Sequence, residues 1–133
     1  MQQRIRVVNP ETVAKPVRGY YSNSLRVSAG PLLFISGQLG IDRDGRFVGP
    51  GAAAQMEQIF SNLQSILEAS GATLASIVQC TLYLTDITDV SVIAPVRLKY
   101  FPKDGPASAL VQVSALAYPE AKIEMDAIAA IDT

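Results

Sequence analysis

Two carboxylates stand two residues apart in KIEMDAIAA, Lys122 to Ala130. Side chains of an extended chain alternate, so Glu124 and Asp126 share a face with Lys122, about 7 Å from each other. Ile123, Met125, Ala127 and Ala129 fill the opposite face and suit a core. The polar face looks either at water or at a site. In a site, a carboxylate can orient a water molecule and carry a proton. Other means are few, because the sequence contains no histidine. That excludes a Ser-His-Asp triad, histidine acid–base chemistry and His-ligated metal. Catalysis is left to carboxylates, Tyr, Lys, Arg, Ser, backbone groups or ordered water. Cys80, the lone cysteine, lies in an apolar run and reads as packing rather than chemistry.

The elements that must position these residues follow from local pattern. RIRVV (Arg4 to Val8) alternates as a strand, and NPETVAKPVRG reads as an irregular loop. LRVSA (Leu25 to Ala29) and LLFISG (Leu32 to Gly37) flank Gly30-Pro31 and read as a hairpin. Asp44-Gly45 marks a turn. From Gly51 to Ser70, the residues Met56, Ile59, Phe60, Leu63, Ile66 and Leu67 recur on one helical face, and Gly71 supplies a stop. SIVQCTLYLTD (Ser76 to Asp86) is apolar enough on both faces for a central strand. A second helix is predicted over Asp89 to Phe101, capped by Thr88 or Asp89, with Ile93, Val96 and Tyr100 as its buried stripe. Pro95 fits only in or near the first turn. ASALVQVSAL (Ala107 to Leu116) and KIEMDAIAA supply the last strands. The order predicts an α+β layer, a mixed sheet with both helices on one face. The other face is expected to hold Tyr83, Gln79, Glu124, Asp126, Gln112 and Ser108, pressed against other subunits or wetted by solvent.

The chain has 133 residues, the size of one domain, 1–133, with no repeat, linker or low-complexity segment. Hydrophobic residues make up 49% and charged ones 17%. The first figure supports a packed core, and the second falls below the usual quarter, which hints at surface buried between subunits. With a net charge of −1 and no basic run, there is no electrostatic footprint for nucleic acid. No apolar run reaches the roughly 20 residues of a membrane span. MQQRIRVVNP lacks the apolar segment of a signal peptide, and a single cysteine fits a reducing compartment, so a cytoplasmic location is expected.

Several short motifs recur together in a fixed order. They are Gly19-Tyr-Tyr-Ser22, Phe34-Ile-Ser-Gly-Gln38, the helix with Gln58 and Asn62, Tyr83-Leu-Thr-Asp86, Tyr100-Phe101, Gly105-Pro-Ala107 and Lys122-Ile-Glu-Met-Asp-Ala-Ile-Ala129. On these the chain resembles the RidA / YjgF family, also called L-PSP endoribonuclease-like, over nearly its whole length. The resemblance implies a chorismate-mutase-like fold and a homotrimer with a barrel-like interior and ligand clefts between subunits. It implies hydrolysis of reactive imines and enamines, such as 2-aminoacrylate and 2-imino acids, to ketones and ammonia, with no metal or organic cofactor. The family's site falls on Tyr21, on Gly37 and Gln38 of the Ser-Gly-Gln turn, on position 108, and on Glu124 as the carboxylate that orients water.

One position departs from the pattern. Members with imine deaminase chemistry read Pro-Ala-Arg, and here the text is Pro106-Ala107-Ser108. A guanidinium grips a carboxylate with two prongs, which serine cannot do. The family's frequent cysteine two positions on is Leu110 here. Arg18, just before the Gly-Tyr-Tyr segment, is the first candidate to replace the charge, although a solvated loop arginine is the ordinary reading. Arg97 and Arg26 have weaker cases. Two functions stay open: a deaminase whose specificity is altered toward a neutral or less acidic ligand, and a non-catalytic trimer that binds a metabolite or protein. Without a basic patch or histidine, ribonuclease chemistry ranks third.

Overall fold

The apolar stripe between Gly51 and Ser70 forms the longest helix in the computed structural model, which describes residues 4–132. This helix, α1 (Ala52–Glu68), buries Met56, Ile59, Phe60, Leu63 and Leu67 completely. Truncating any one of them is expected to cost about 2–5 kcal/mol. Gly71 ends it with a φ of +69°, a left-handed turn that lets Ala72 N–H donate to the Leu67 carbonyl at 2.9 Å. Gln55 is the exception on the buried stripe. Its amide nitrogen donates to the Glu120 carbonyl at 2.9 Å, and its oxygen accepts from Lys122 N–H at 2.8 Å.

Among the described residues, six strands accompany the helices. They are β1 (Ile5–Val7), β2 (Leu25–Val27), β3 (Leu32–Leu39), β4 (Ile77–Leu84), β5 (Ala107–Gln112) and β6 (Ile123–Ala130). The main sheet runs β3-β6-β4-β5, antiparallel except for the parallel pair β4–β5. A parallel pair needs a crossover, and α2 (Val90–Tyr100) supplies it. Both helices lie on one face of this mixed α+β sheet, as the sequence predicts. Ile123, Met125, Ala127 and Ala129 are buried on that face, while Glu124 and Asp126 turn to the other.

Two expectations fail. The hairpin across Gly30-Pro31 does not form: β2 pairs with β1 in a separate two-stranded sheet, and β3 pairs with β6. Gly30, at φ +155°, turns the chain from one sheet to the other. The Arg4 guanidinium fixes that crossing by donating to the carbonyls of Ser28, Pro31 and Ile131. In addition, Pro95 sits in the second turn of α2 rather than the first. It deprives the Ser91 carbonyl of its helical hydrogen-bond partner, on a side of the helix where Ser91 and Pro95 are both exposed.

Candidate functional site

On the helix-free face, a β-bulge in β3 makes room for Glu124. The register of β3 against β6 shifts between Ile35 and Gln38. A Cβ added to Gly37 would lie 2.0 Å from Glu124 Oε2, so the carboxylate occupies the space a side chain would need. Glu124 is half-buried, and burial, followed by repulsion from Asp126, raises its pKa above the ordinary 4.5. Asp126 is held in place. It accepts from Thr81 N–H at 3.2 Å and from the Tyr83 hydroxyl at 3.1 Å. That bond, first among several causes, raises the Tyr83 pKa above 10.0. Gln38 folds back on the Ser36 carbonyl at 3.2 Å, and with Gly37 it lines an open groove of about 640 Å³ that reaches Asn62 and Tyr118. Gly37 and Glu124 therefore form one neighbourhood, whereas Gln38, in register with buried Met125, belongs with the groove along α1.

Tyr21 and Ser108 form another. Ser108 pairs in register with buried Cys80, which puts it on the helix side of the sheet and not beside Glu124. Gln112, paired with Leu84, follows the same phase. The expectation that Ser108 and Gln112 share the Glu124 face is thus corrected. On β5, an edge strand, Ala and Ser alternate with one another, so the sequence carries no contrast to set its phase. The Ser108 hydroxyl accepts a hydrogen bond from Arg97 Nη2 at 3.3 Å. The Arg97 guanidinium lies 3.8 Å over the Tyr20 ring. Tyr20, Tyr21, Val90, Arg97, Ser108 and Leu110 line an open cavity of about 230 Å³. Tyr20 is the packing member of the tyrosine pair, and Tyr21 accepts from Val17 N–H at 3.1 Å. Burial pushes the Cys80 thiol up, with Ser108 and Arg97 opposing in part.

The candidate arginines differ in their surroundings. Arg18 is exposed on its loop, whereas Arg97 is 5% exposed and touches Ser108. The signal for Arg97 was present in the sequence. It follows Ile93 by four residues and so continues the stripe of Ile93, Val96 and Tyr100. An arginine spaced four residues after Ile93, among the buried positions of the helix, is the anomaly that marks it. Gln55, four residues before Ile59, is marked in the same way. Among the described residues no group of three His, Cys, Asp or Glu side chains is disposed to hold a metal ion. No helix among the described residues is long and apolar enough to cross a membrane.

Comparison with known proteins matches residues 12–131 to the family described as Endoribonuclease L-PSP. Reactive Intermediate Deaminase A, chloroplastic, of Arabidopsis thaliana is 40% identical over 114 residues, covering 85% of this chain and 59% of that protein. The 2-iminobutanoate/2-iminopropanoate deaminase of Bos taurus is 35% identical over 131 residues, covering 97% of this chain and 93% of its own. Among solved structures, the Rid-family protein YyfB of Yersinia pestis, described as of unknown function, superposes with a TM-score of 0.89. It shares 32% identity and is covered entirely, against 97% of this chain.

Proposed function

The chain belongs to the RidA / YjgF (L-PSP endoribonuclease-like) family, and from that premise we propose that it hydrolyses small reactive imines or enamines to ketones and ammonia. The observation that carries the reading is Glu124: a half-buried carboxylate over Gly37, with a raised pKa and no cation beside it. In the reaction a water oxygen attacks the imine carbon and a C–O bond forms. Protons pass to nitrogen, the C–N bond breaks, and ammonia leaves. Glu124 takes the water's proton as the bond forms and returns it to nitrogen, the work a carboxylate with an elevated pKa suits. Two relatives named as deaminases support this activity class.

The working unit in this reading is a cytoplasmic homotrimer, with the ligand in a cleft between subunits. Exposed apolar side chains on the Glu124 face support such an assembly. Phe34 is 72% exposed and Val111 42%. Within one protomer the Tyr21–Ser108 group and the Gly37–Glu124 pair lie on opposite faces of the sheet, so a single cleft holding both needs two copies. Specificity differs from that of members with arginine at position 108, because Ser108 offers one short hydroxyl in place of a two-pronged cation. The test is to generate 2-aminoacrylate or a 2-imino acid in situ, add purified protein, and follow ammonia release. Faster release than in the protein-free control is expected, and Glu124→Gln should abolish the difference. No acceleration by an intact trimer would favour the alternative, a non-catalytic metabolite- or protein-binding module.

A further inference from the structure

A guanidinium out of water needs an anion or a full set of acceptors, because burying an unpaired charge is costly. Arg97 has neither among the described residues. It is 5% exposed, yet the one ion pair in the described chain is Lys99 with Glu57. Of its five N–H donors, one reaches a protein acceptor, the Ser108 hydroxyl at 3.3 Å. The face of the guanidinium is taken by the Tyr20 ring at 3.8 Å. What remains borders the cavity of about 230 Å³. That volume lies below the roughly 300–1,000 Å³ of pockets for drug-sized ligands, and so fits a small metabolite. Its walls offer two tyrosines, a serine hydroxyl and two aliphatic side chains, Val90 and Leu110, with no competing carboxylate.

We propose that Arg97 is the anion anchor of this protein, and that the cavity bordered by Arg97, Ser108 and Tyr21 binds the carboxylate of a small 2-oxo or 2-imino acid. The proposal deepens the deaminase reading and rests on it for the identity of the acid. The cation absent from β5 at position 108 is supplied from α2 instead. Ser108 is short enough to leave the guanidinium room, and its hydroxyl orients one edge while the other edge receives the ligand. A longer side chain at 108 would fill the space that Arg97 reaches across. The substrate then keeps its negative charge, contrary to the neutral ligand expected from Ser108 alone.

Calorimetric titration with pyruvate and with its uncharged amide, pyruvamide, tests the assignment. Wild type should bind pyruvate and discriminate against pyruvamide. Arg97→Gln should weaken pyruvate by about 10- to 150-fold, the range for a hydrogen bond to a charged group, and leave pyruvamide unchanged. Arg97→Lys should restore part of the preference, and Arg18→Gln should change nothing. Pyruvate binding that survives Arg97→Gln overturns the proposal, as does equal weakening of both ligands, which is the signature of a packing role. Should Arg97→Gln fail to fold, Val90→Phe, which fills the cavity from the first turn of α2, must abolish pyruvate binding; retained binding overturns the anchor. Arg97-dependent binding without ammonia release would keep the anchor and remove the deaminase. Ammonia release by a protein that binds pyruvate independently of Arg97 would do the reverse.

Discussion

Arg97 and Glu124 sit on opposite faces of one sheet, and burial works against the charge of each. It lowers the pKa of the guanidinium and raises that of the carboxylate. Neither has a partner of opposite sign within the described chain. The surface clasp between the helices behaves differently. There Glu57 accepts from the Tyr100 hydroxyl at 2.6 Å and pairs with Lys99 at 3.1 Å, and the Tyr100 bond, ahead of Lys99, lowers its pKa below 4.5. The fold thus pairs a glutamate where pairing stabilises little and leaves two charges unpaired where pairing would matter most. Such unsatisfied charges are what a ligand site offers before its ligand arrives.

The largest expected break in this comparison comes from the open face. In the proposed trimer, Phe34→Glu would put a charge into the apolar contact between subunits, and the particle mass in light scattering should fall from about three chains to one. With the cleft gone, deaminase activity should go too. A trimer that tolerates the substitution would mean that the Glu124 face is free, and would detach Glu124 from any partner.

Glu124→Gln should come next, lowering the rate of imine hydrolysis by about 10²–10⁴-fold, the range for a lost acid–base group. It should also change the pH dependence of folding. A carboxyl with a raised folded-state pKa holds its proton more tightly folded than unfolded. Its contribution is therefore most favourable below 4.5 and is lost as pH rises through that value toward the raised one. Denaturant titrations across this range should show wild type losing stability relative to Glu124→Gln as pH increases. The opposite slope would mean that the assembled protein supplies a cation to Glu124.

Glu57→Gln should have the smallest effect. The pair is partly exposed, so the loss at neutral pH should stay below about 1 kcal/mol, with activity unchanged. The sign with pH is reversed here: the contribution is present above 4.5 and disappears as pH falls. Urea unfolding of the variant measures it, and a loss several times larger would make the clasp between α1 and α2 a central support.

The sequence made some of this legible and hid the rest for physical reasons. The phase of β6 was readable because Ile123, Met125, Ala127 and Ala129 contrast with Glu124 and Asp126, and one face of the strand is dry. The phase of β5 was not, since Ala107, Ser108 and Ala109 have no contrast and only the register with β4 decides. The hairpin across Gly30-Pro31 was a local inference defeated by long-range bonds from Arg4 to carbonyls as distant as Ile131. The candidate residues Tyr21, Gly37, Gln38, Ser108 and Glu124 could be picked out by motif, but the face of the sheet that each takes could not. Position 108 drew attention to a missing cation. The cation proposed in its place, Arg97, lies eleven residues earlier and reaches Ser108 from α2.

Gln55 has a consequence for how this protein can change. Its amide serves as a borrowed peptide unit, giving and taking one bond each at the entry to β6, just before Glu124. A Cβ at Gly40 would lie 2.6 Å from the Gln55 side chain, so the glycine and the glutamine fit only as a pair. Three segments far apart in the chain are thereby locked against independent drift. The Arg97–Ser108 contact is a single long hydrogen bond from a helix to an edge strand, and it imposes no such mutual constraint. If the proposed roles hold, new ligands can be explored by varying Arg97, while Glu124 stays on a strand whose entry is pinned.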